Sequence, residues 1–556
     1  MRPRTGIAAA VAVLGVAGGI AAATMPAGAS TTHAADNHSV IVPGDLLVST
    51  SYYENDPGIV AGSTVLPPGG ATTASGTGSA TAVASGNYPY VFNNDTVDGS
   101  FGVTSPMVLK EITTDGHSVA SIPVPTQYLD TSFSSKSEGA LNLSTNGKYV
   151  TFIDYSAAPD TIDASNANTP GDVDPTNPVS EAYYRTVASL NQQGKFTFTE
   201  TNDYSGNNGR AAIAATVGGK QVYYTVGNAG NGNNPEPQGV VTGSGVQIVT
   251  PSTQNPYDQT VGQPAPIGSF NITELGDGAD KSAKDNNFRG LAIENNVLYF
   301  TKGSGSNGVN TVYYLNTSGT ACAGGVGLPA ANATLPTASI ASSYTSDSTA
   351  AKPDPSLTDL NICILKGFPT VLAKGATDSS DYPFGIWFAS PTVMYVADEG
   401  AGDNTYDAAT NSYSAAAAST TAGLQKWVYS AKDGEWELAY TLQNGLKLGS
   451  PYTVPGYPTG TNPDSSPANL PWAPATDGLR NITGKVNGNG TVTIWAVTST
   501  VSGGGDQGAD PNALVSVTDK LGASSLPASE LFSTVIAPTN NQVVRGVSFT
   551  PGTHEG

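Results

Sequence analysis

Two sets of residues in this sequence have the types and spacing to do chemistry. The first is acidic and amidic. Loop-like segments carry Asp154, Asp160 and Asp163, then Asn228, Asn231 and Asn233, then Asp398, Glu399 and Asp403, then Asp506 and Asp510. Carboxylates grouped with amides and backbone carbonyls are hard oxygen ligands, the kind Ca2+ takes. The densest group, Asp398-Glu399-Gly400-Ala401-Gly402-Asp403-Asn404, has glycines that allow a tight backbone curve. Asp398, Glu399 and Asp403 are therefore the candidate Ca2+ ligands, and Ca2+ is the one cofactor the residues suit. The second set is basic. Arg210, Arg289, Arg480 and Arg545 each open a short strand-like run, and Glu138 and Phe384 open two similar runs. Guanidinium groups gathered at one opening would grip a carboxylate or phosphate in bidentate fashion. Their structural alternative is pairing with nearby acids, Asp285 for Arg289 and Asp477 for Arg480.

Other chemistries are poorly served. There is no G-x-S-x-G, and the four histidines, His33, His38, His117 and His554, form no H-E-x-x-H. Gly303-Ser304-Gly305-Ser306-Asn307-Gly308 matches a dinucleotide fingerprint, but it lies between two strand-like runs, where that fingerprint needs a following helix. A net charge of -21 repels nucleic acid. Loop aromatics (Tyr52, Tyr53, Tyr155, Tyr406, Tyr413, Tyr452, Tyr457 and Trp472) offer faces on which a sugar would stack.

The elements that must position these groups come from a repeat. The anchors at 138, 210, 289, 384 and 480 are each followed by the same succession, and a sixth anchor stands at 545. After a polar turn comes a Tyr/Val-rich strand: KYVTFIDY, QVYYTVG, NVLYFTKG, TVMYVADEG or TVTIWAVTST. A variable loop and a third strand follow, and a fourth usually ends the unit, as in KFTFTETN, IGSFNIT and WELAYTLQ. Four antiparallel strands with a glycine-marked first strand describe a propeller blade. Glycine suits the innermost strand because blades crowd at the axis. The spacing exceeds the roughly 40–50 residues of simple propeller repeats, so long loop insertions are implied.

The last unit has only its first strand, and then the sequence stops. Its missing strands match Asp45–Thr50, Pro106–Ile112 and Ser118–Pro123 near the other end. The expected fold is all-β, a six-bladed β-propeller closed by pairing of N- and C-terminal strands. A seventh blade is possible if residues 53–104 hide one. A solenoid or a pair of sandwiches gives no reason for the orphan strand. The run Val393–Gly400 resembles the strand-and-turn signature of NHL-type and gluconolactonase-like propellers. Longer phrases, among them GDLLVSTSYY and PFGIWFASPTVMYVADEG, resemble a group of secreted bacterial proteins, which implies fold and export but no reaction.

Arg2 and Arg4, the apolar stretch from Gly6 to Ala23 and the small residues Ala27-Gly28-Ala29 read as a signal peptide over 1–29. A flexible segment at 30–44, a propeller at 45–551 and a tail at 552–556 follow. In an oxidising compartment Cys322 and Cys363 are expected to pair, closing the insertion at 318–366. The expected protein is a secreted monomer without a membrane span in its mature form. It binds an extracellular glycan, peptide or wall component on a polar, acidic loop face. The alternative is a Ca2+-dependent hydrolase or lactonase at the axial funnel.

Overall fold

The computed structural model describes residues 40–67, 82–94, 101–134, 137–171, 173, 177, 179–228, 245–252, 272–274, 277–278, 287–303, 308–317, 326–329, 334–337, 362–371, 373 and 381–554. The signal-peptide reading over 1–29 and Cys322 lie outside these residues. Six antiparallel sheets stand in a ring, a six-bladed β-propeller, and α-helix among the described residues is limited to Ser414–Ala418.

The orphan strand finds its partner where the sequence places it. Gln542–Phe549 pairs antiparallel with Leu46–Tyr52, from Leu46 opposite Phe549 to Tyr52 opposite Gln542, with a bulge between Ser49 and Thr50. Met107–Ile112 and Ser118–Pro123 complete this closing blade. The Glu138 blade holds Asn142–Leu143, Tyr149–Tyr155, Arg185–Asn191 and Phe196–Thr201. The Phe384 blade holds Pro383–Ser390, Val393–Asp398, Gly423–Ser430 and Glu435–Leu442. The Arg480 blade holds Ala475–Val486, Thr491–Val501, Leu514–Lys520 and Ser533–Ile536.

Two blades depart from the expected plan. In the Arg210 blade, Gly209–Val217, Lys220–Gly227 and Val246–Val249 make three described strands. The expected fourth, IGSFNIT, is not added there: Ile272–Glu274 lies parallel to Ile362–Ile364 in the Arg289 blade. That blade runs Leu291–Glu294, Val297–Lys302, Thr311–Leu315, then Ile362–Ile364 from the long insertion. The cause is apolar burial. Ile362, Cys363 and Ile364 are buried within the cluster shared by the Arg210, Arg289 and Phe384 blades, so the insertion supplies the outer strand itself.

The described parts of residues 53–104 form a cap and not a seventh blade. They comprise a ribbon, Val65–Leu66 with Ala82–Val83, a 3-10 turn at Tyr90–Phe92, and Thr104–Ser105 paired with Thr131–Ser132. Tyr53, Val91, Phe92, Phe101 and Val103 pack with Phe133, Ala509 and Val543 in one apolar cluster. Of the loop aromatics Tyr53 belongs to this layer, while Tyr155, Tyr413, Tyr457 and Trp472 lie in smaller apolar clusters of their own. Tyr53, Tyr155, Tyr413, Tyr457 and Trp472 are buried, so they pack loops and present no stacking platform. Before and after the blades, Ile41 is buried, its N–H donates to Gln192 O at 3.0 Å, and Gly552 N–H donates to Gly147 O at 2.6 Å.

Every joint of the ring is bonded near the axis. Ser49 Oγ donates to Gly139 O (2.6 Å), Asn142 Nδ2 to Ala212 O (3.1 Å) and Phe288 N to Gly227 O (3.1 Å). Thr301 Oγ1 donates to Phe384 O (2.6 Å), and Val547 N to Asn481 Oδ1 (2.7 Å). The sixth joint, between the Phe384 and Arg480 blades, carries both a hydrogen bond, from Ser499 Oγ to Glu399 O (2.6 Å), and an ionic contact.

Candidate functional site: a charged axis

The innermost strands carry the anchors to one place. Glu138, Arg210, Arg289, Phe384, Arg480 and Arg545 are all buried. Each arginine feels the next around the ring: Arg210 feels Arg289, and Arg289 and Arg545 both feel Arg480. Arg289 Nη1 also donates to Ser137 Oγ at 2.8 Å. Ser137 belongs to the segment opening the Glu138 blade, two blades away, so this guanidinium reaches across the axis.

Each anchor has its own bonding. Glu399 joins two of them, with Oε1 3.6 Å from Arg289 Nη1 and Oε2 accepting from Arg480 Nε at 3.2 Å. Arg289 lies over the Phe384 ring, 5.8 Å from its centroid. Arg545 Nε donates to Ser51 Oγ at 3.0 Å and its Nη2 to the carbonyls of Ser132 and Phe133. Glu138 accepts from the Tyr155 hydroxyl, from Asn208 Nδ2 at 2.6 Å and from Ser137 N at 3.3 Å. Its carboxylate is thus met by donors and not by further oxygen ligands.

Arg210 is the exception. Nη1 donates to Asn287 Oδ1 and, at 3.4 Å, to Phe288 O. Its Nε is buried without a partner, and no ion pair of Arg210 occurs among the described residues. Burial, with Arg289 adding repulsion, pulls its guanidinium down to about 9 against the attraction of Glu138 and Glu399. Burial alike lowers Arg289 and Arg545, though Glu399 opposes the shift in the first and Glu138 in the second. Asp154 faces the same region. Burial, then Glu138, pushes its carboxyl well above the usual range. Further amides lie beyond Asn287: the backbones of Asn228 and Asn287 pair in an isolated β-bridge, and Asn228 Nδ2 donates to Asn207 Oδ1 (2.7 Å).

The acidic loop residues are not brought together. Asp398 accepts from Tyr382 N (2.7 Å) and Gly400 N (3.0 Å), and burial raises it to about 8. Glu399, its neighbour, turns the other way to the arginines. Asp403 is exposed and accepts from Thr405 N at 2.8 Å. Asp285 lies outside the described residues, and Asp477 Oδ2 accepts from Gly402 N at 2.7 Å. The repeat in the sequence therefore locates the arginines but not their acid. The period of two along a strand was the available signal, since Asp398 and Glu399 at the strand's end must face opposite ways. Ser137, Asn208 and Asn287 carried no signal of type or spacing.

Cys363 is buried in Ile362–Ile364. No helix among the described residues is long and apolar enough to cross a membrane.

No protein-family model and no curated protein matches this chain. Similar solved structures include a protein of unknown function from Dyadobacter fermentans, 10% identical, covering 76% of this chain and 97% of its own, at a TM-score of 0.27. A polysaccharide lyase, a PL25 ulvan lyase, is 10% identical over 81% of this chain and 91% of its own, at 0.28. The Synechocystis apocarotenoid oxygenase is 9% identical over 80% of this chain and 72% of its own, at 0.28. Likeness this distant carries no argument about activity.

Proposed function

We propose that this is a secreted binding propeller whose axis receives an anionic group of an extracellular glycan, peptide or wall component. The observation that carries this is Arg210. A buried guanidinium that makes no ion pair of its own among the described residues, and feels Glu138 and Glu399 without contacting either, is expensive to keep ionised, and a bound carboxylate or similar oxyanion removes that cost through charge-assisted hydrogen bonds. Arg289, held over Phe384, stands next to it, and Asn207, Asn208, Asn228 and Asn287 supply donors and acceptors for the uncharged part of a ligand. Export rests on the basic, apolar and small-residue succession at the N-terminus. The proposal includes a Cys322–Cys363 disulfide, supported by the buried position of Cys363 and by the absence of a free cysteine among the described residues.

The test is calorimetric titration of the chain with acidic oligosaccharides and with their methyl esters, which keep shape and lose charge. The acid should bind and the ester should bind at least about tenfold more weakly, consistent with one lost charged hydrogen bond. Arg210→Gln should erase the difference. Equal affinity for acid and ester, or a variant that still discriminates, would sink the reading.

A further inference from the structure

Asp130 is fully buried, yet neither of its carboxylate oxygens meets a donor among the described residues. Ser132, two residues on, is buried with an unpartnered hydroxyl. Extended backbone alternates its faces, so these two side chains share one side and Thr131 and Phe133 share the other. The second side belongs to the charged axis: the Phe133 ring lies under the Arg545 guanidinium, and Thr131 stands beside Asp154. Asp130 therefore faces away from the arginine that would neutralise it. The charges that do reach it are two further carboxylates, Asp160 and, from the axial side, Asp154.

Asp160 is fastened in place. Its N–H donates to Thr104 O at 2.9 Å, and Thr104 is the cross-strand partner of Ser132. Thr104 Oγ1 also donates to Ala158 O at 2.5 Å, so the turn bearing Asp160 is clamped beside the strand bearing Asp130. Asp160 has φ of 63°, a left-handed conformation unusual for a non-glycine residue. Outside it stand Asp56 and Glu54, both of which repel it. A path of negative charge thus leads from an exposed acidic mouth to a buried carboxylate without a partner.

We propose that Asp130, Asp160 and Ser132 form a calcium site, with Asp56 and Glu54 at its mouth. Two carboxylates match the charge of the ion. Ca2+ fills its six to eight positions with hydroxyl, backbone carbonyl and water oxygens as readily as with acids. No group of three or more His, Cys, Asp and Glu among the described residues is placed to hold a metal, so Asp56 and Glu54 draw the ion in and are not counted among its ligands. The site is separate from Asp398, Glu399 and Asp403 and from the Arg210 anion site. A bound ion would hold the cap strand Thr104–Ser105, strand Thr131–Ser132 and the 158–161 turn together.

The experiment compares thermal midpoints of the full chain in excess calcium and in chelator, with bound metal counted by elemental mass spectrometry. An ion that binds only the native state must raise the midpoint, by a few degrees at roughly a hundredfold excess over Kd. Asp130→Asn and Asp160→Asn should each abolish the rise and the bound calcium, whereas Asp403→Asn should keep both. Asp160 is exposed, so its variant stays informative should Asp130→Asn fail to fold. An unchanged wild-type midpoint without bound calcium would overturn the proposal. So would an Asp160→Asn chain that keeps the rise, or an Asp403→Asn chain that loses it.

Discussion

At the scale of single residues, Glu399 decides how the axis behaves. It neutralises Arg289 and Arg480 at once, in a position where water cannot do so. Removing one partner of a buried ionic group strands the others, at a cost of about 3–5 kcal/mol. Glu399→Gln should therefore lower unfolding stability by that amount in a urea titration. It should also tighten binding of an acidic ligand, because two guanidiniums lose their internal competitor. A variant as stable as the parent would mean that Arg289 and Arg480 are satisfied elsewhere. The sequence showed the four arginines because their recurrence survives alignment. It did not show Glu399 in this role, because acids crowd around it and only the fold tells which one turns inward.

At the scale of elements, innermost strands are spaced by what their glycines leave out. A Cβ on Gly546 would come within 2.6 Å of Leu141 N and 2.7 Å of Gly139 O in the next blade, and one on Gly290 would collide with Phe384 O. Backbone cannot yield as a side chain can, so Gly546→Ala should destabilise by about 3 kcal/mol or more, read as a lower denaturant midpoint. An unchanged midpoint would mean the blades stand further apart. These strands were legible because Gly recurs beside the anchors and a Tyr/Val-rich strand follows each of the first five after one short turn. The outer strand Ile362–Ile364 was not: three apolar residues inside a long polar insertion give no period, and only the neighbouring core explains their burial. The loop tyrosines misled for a related reason. A cap built from insertions has its own apolar interior, and turn-rich sequence around an aromatic looks the same whether or not another loop covers it.

At the scale of the whole molecule, the fold holds protons that its unfolded chain would release. Burial pushes the carboxyls of Asp130 and Asp398 up to about 8, and those of Asp203 and Glu530 up to about 7, from ordinary values of 3.8 for Asp and 4.5 for Glu. An acid raised by folding stabilises the native state fully below its ordinary pKa, and that contribution is lost as pH climbs through the raised value. In calcium-free buffer the urea midpoint should fall from about pH 5 to about pH 8, and Glu530→Gln should flatten part of that slope. A midpoint that rises over this interval would contradict these burials. Ring closure is the larger dependence, since the anchors converge only if Gln542–Phe549 completes the blade begun by Leu46–Tyr52. Deleting residues 542–556 and following unfolding by denaturant tests this directly. The ring predicts a large loss of stability and its recovery when a peptide spanning 540–554 is added in trans, whereas a truncated chain that keeps the parent's midpoint would contradict it.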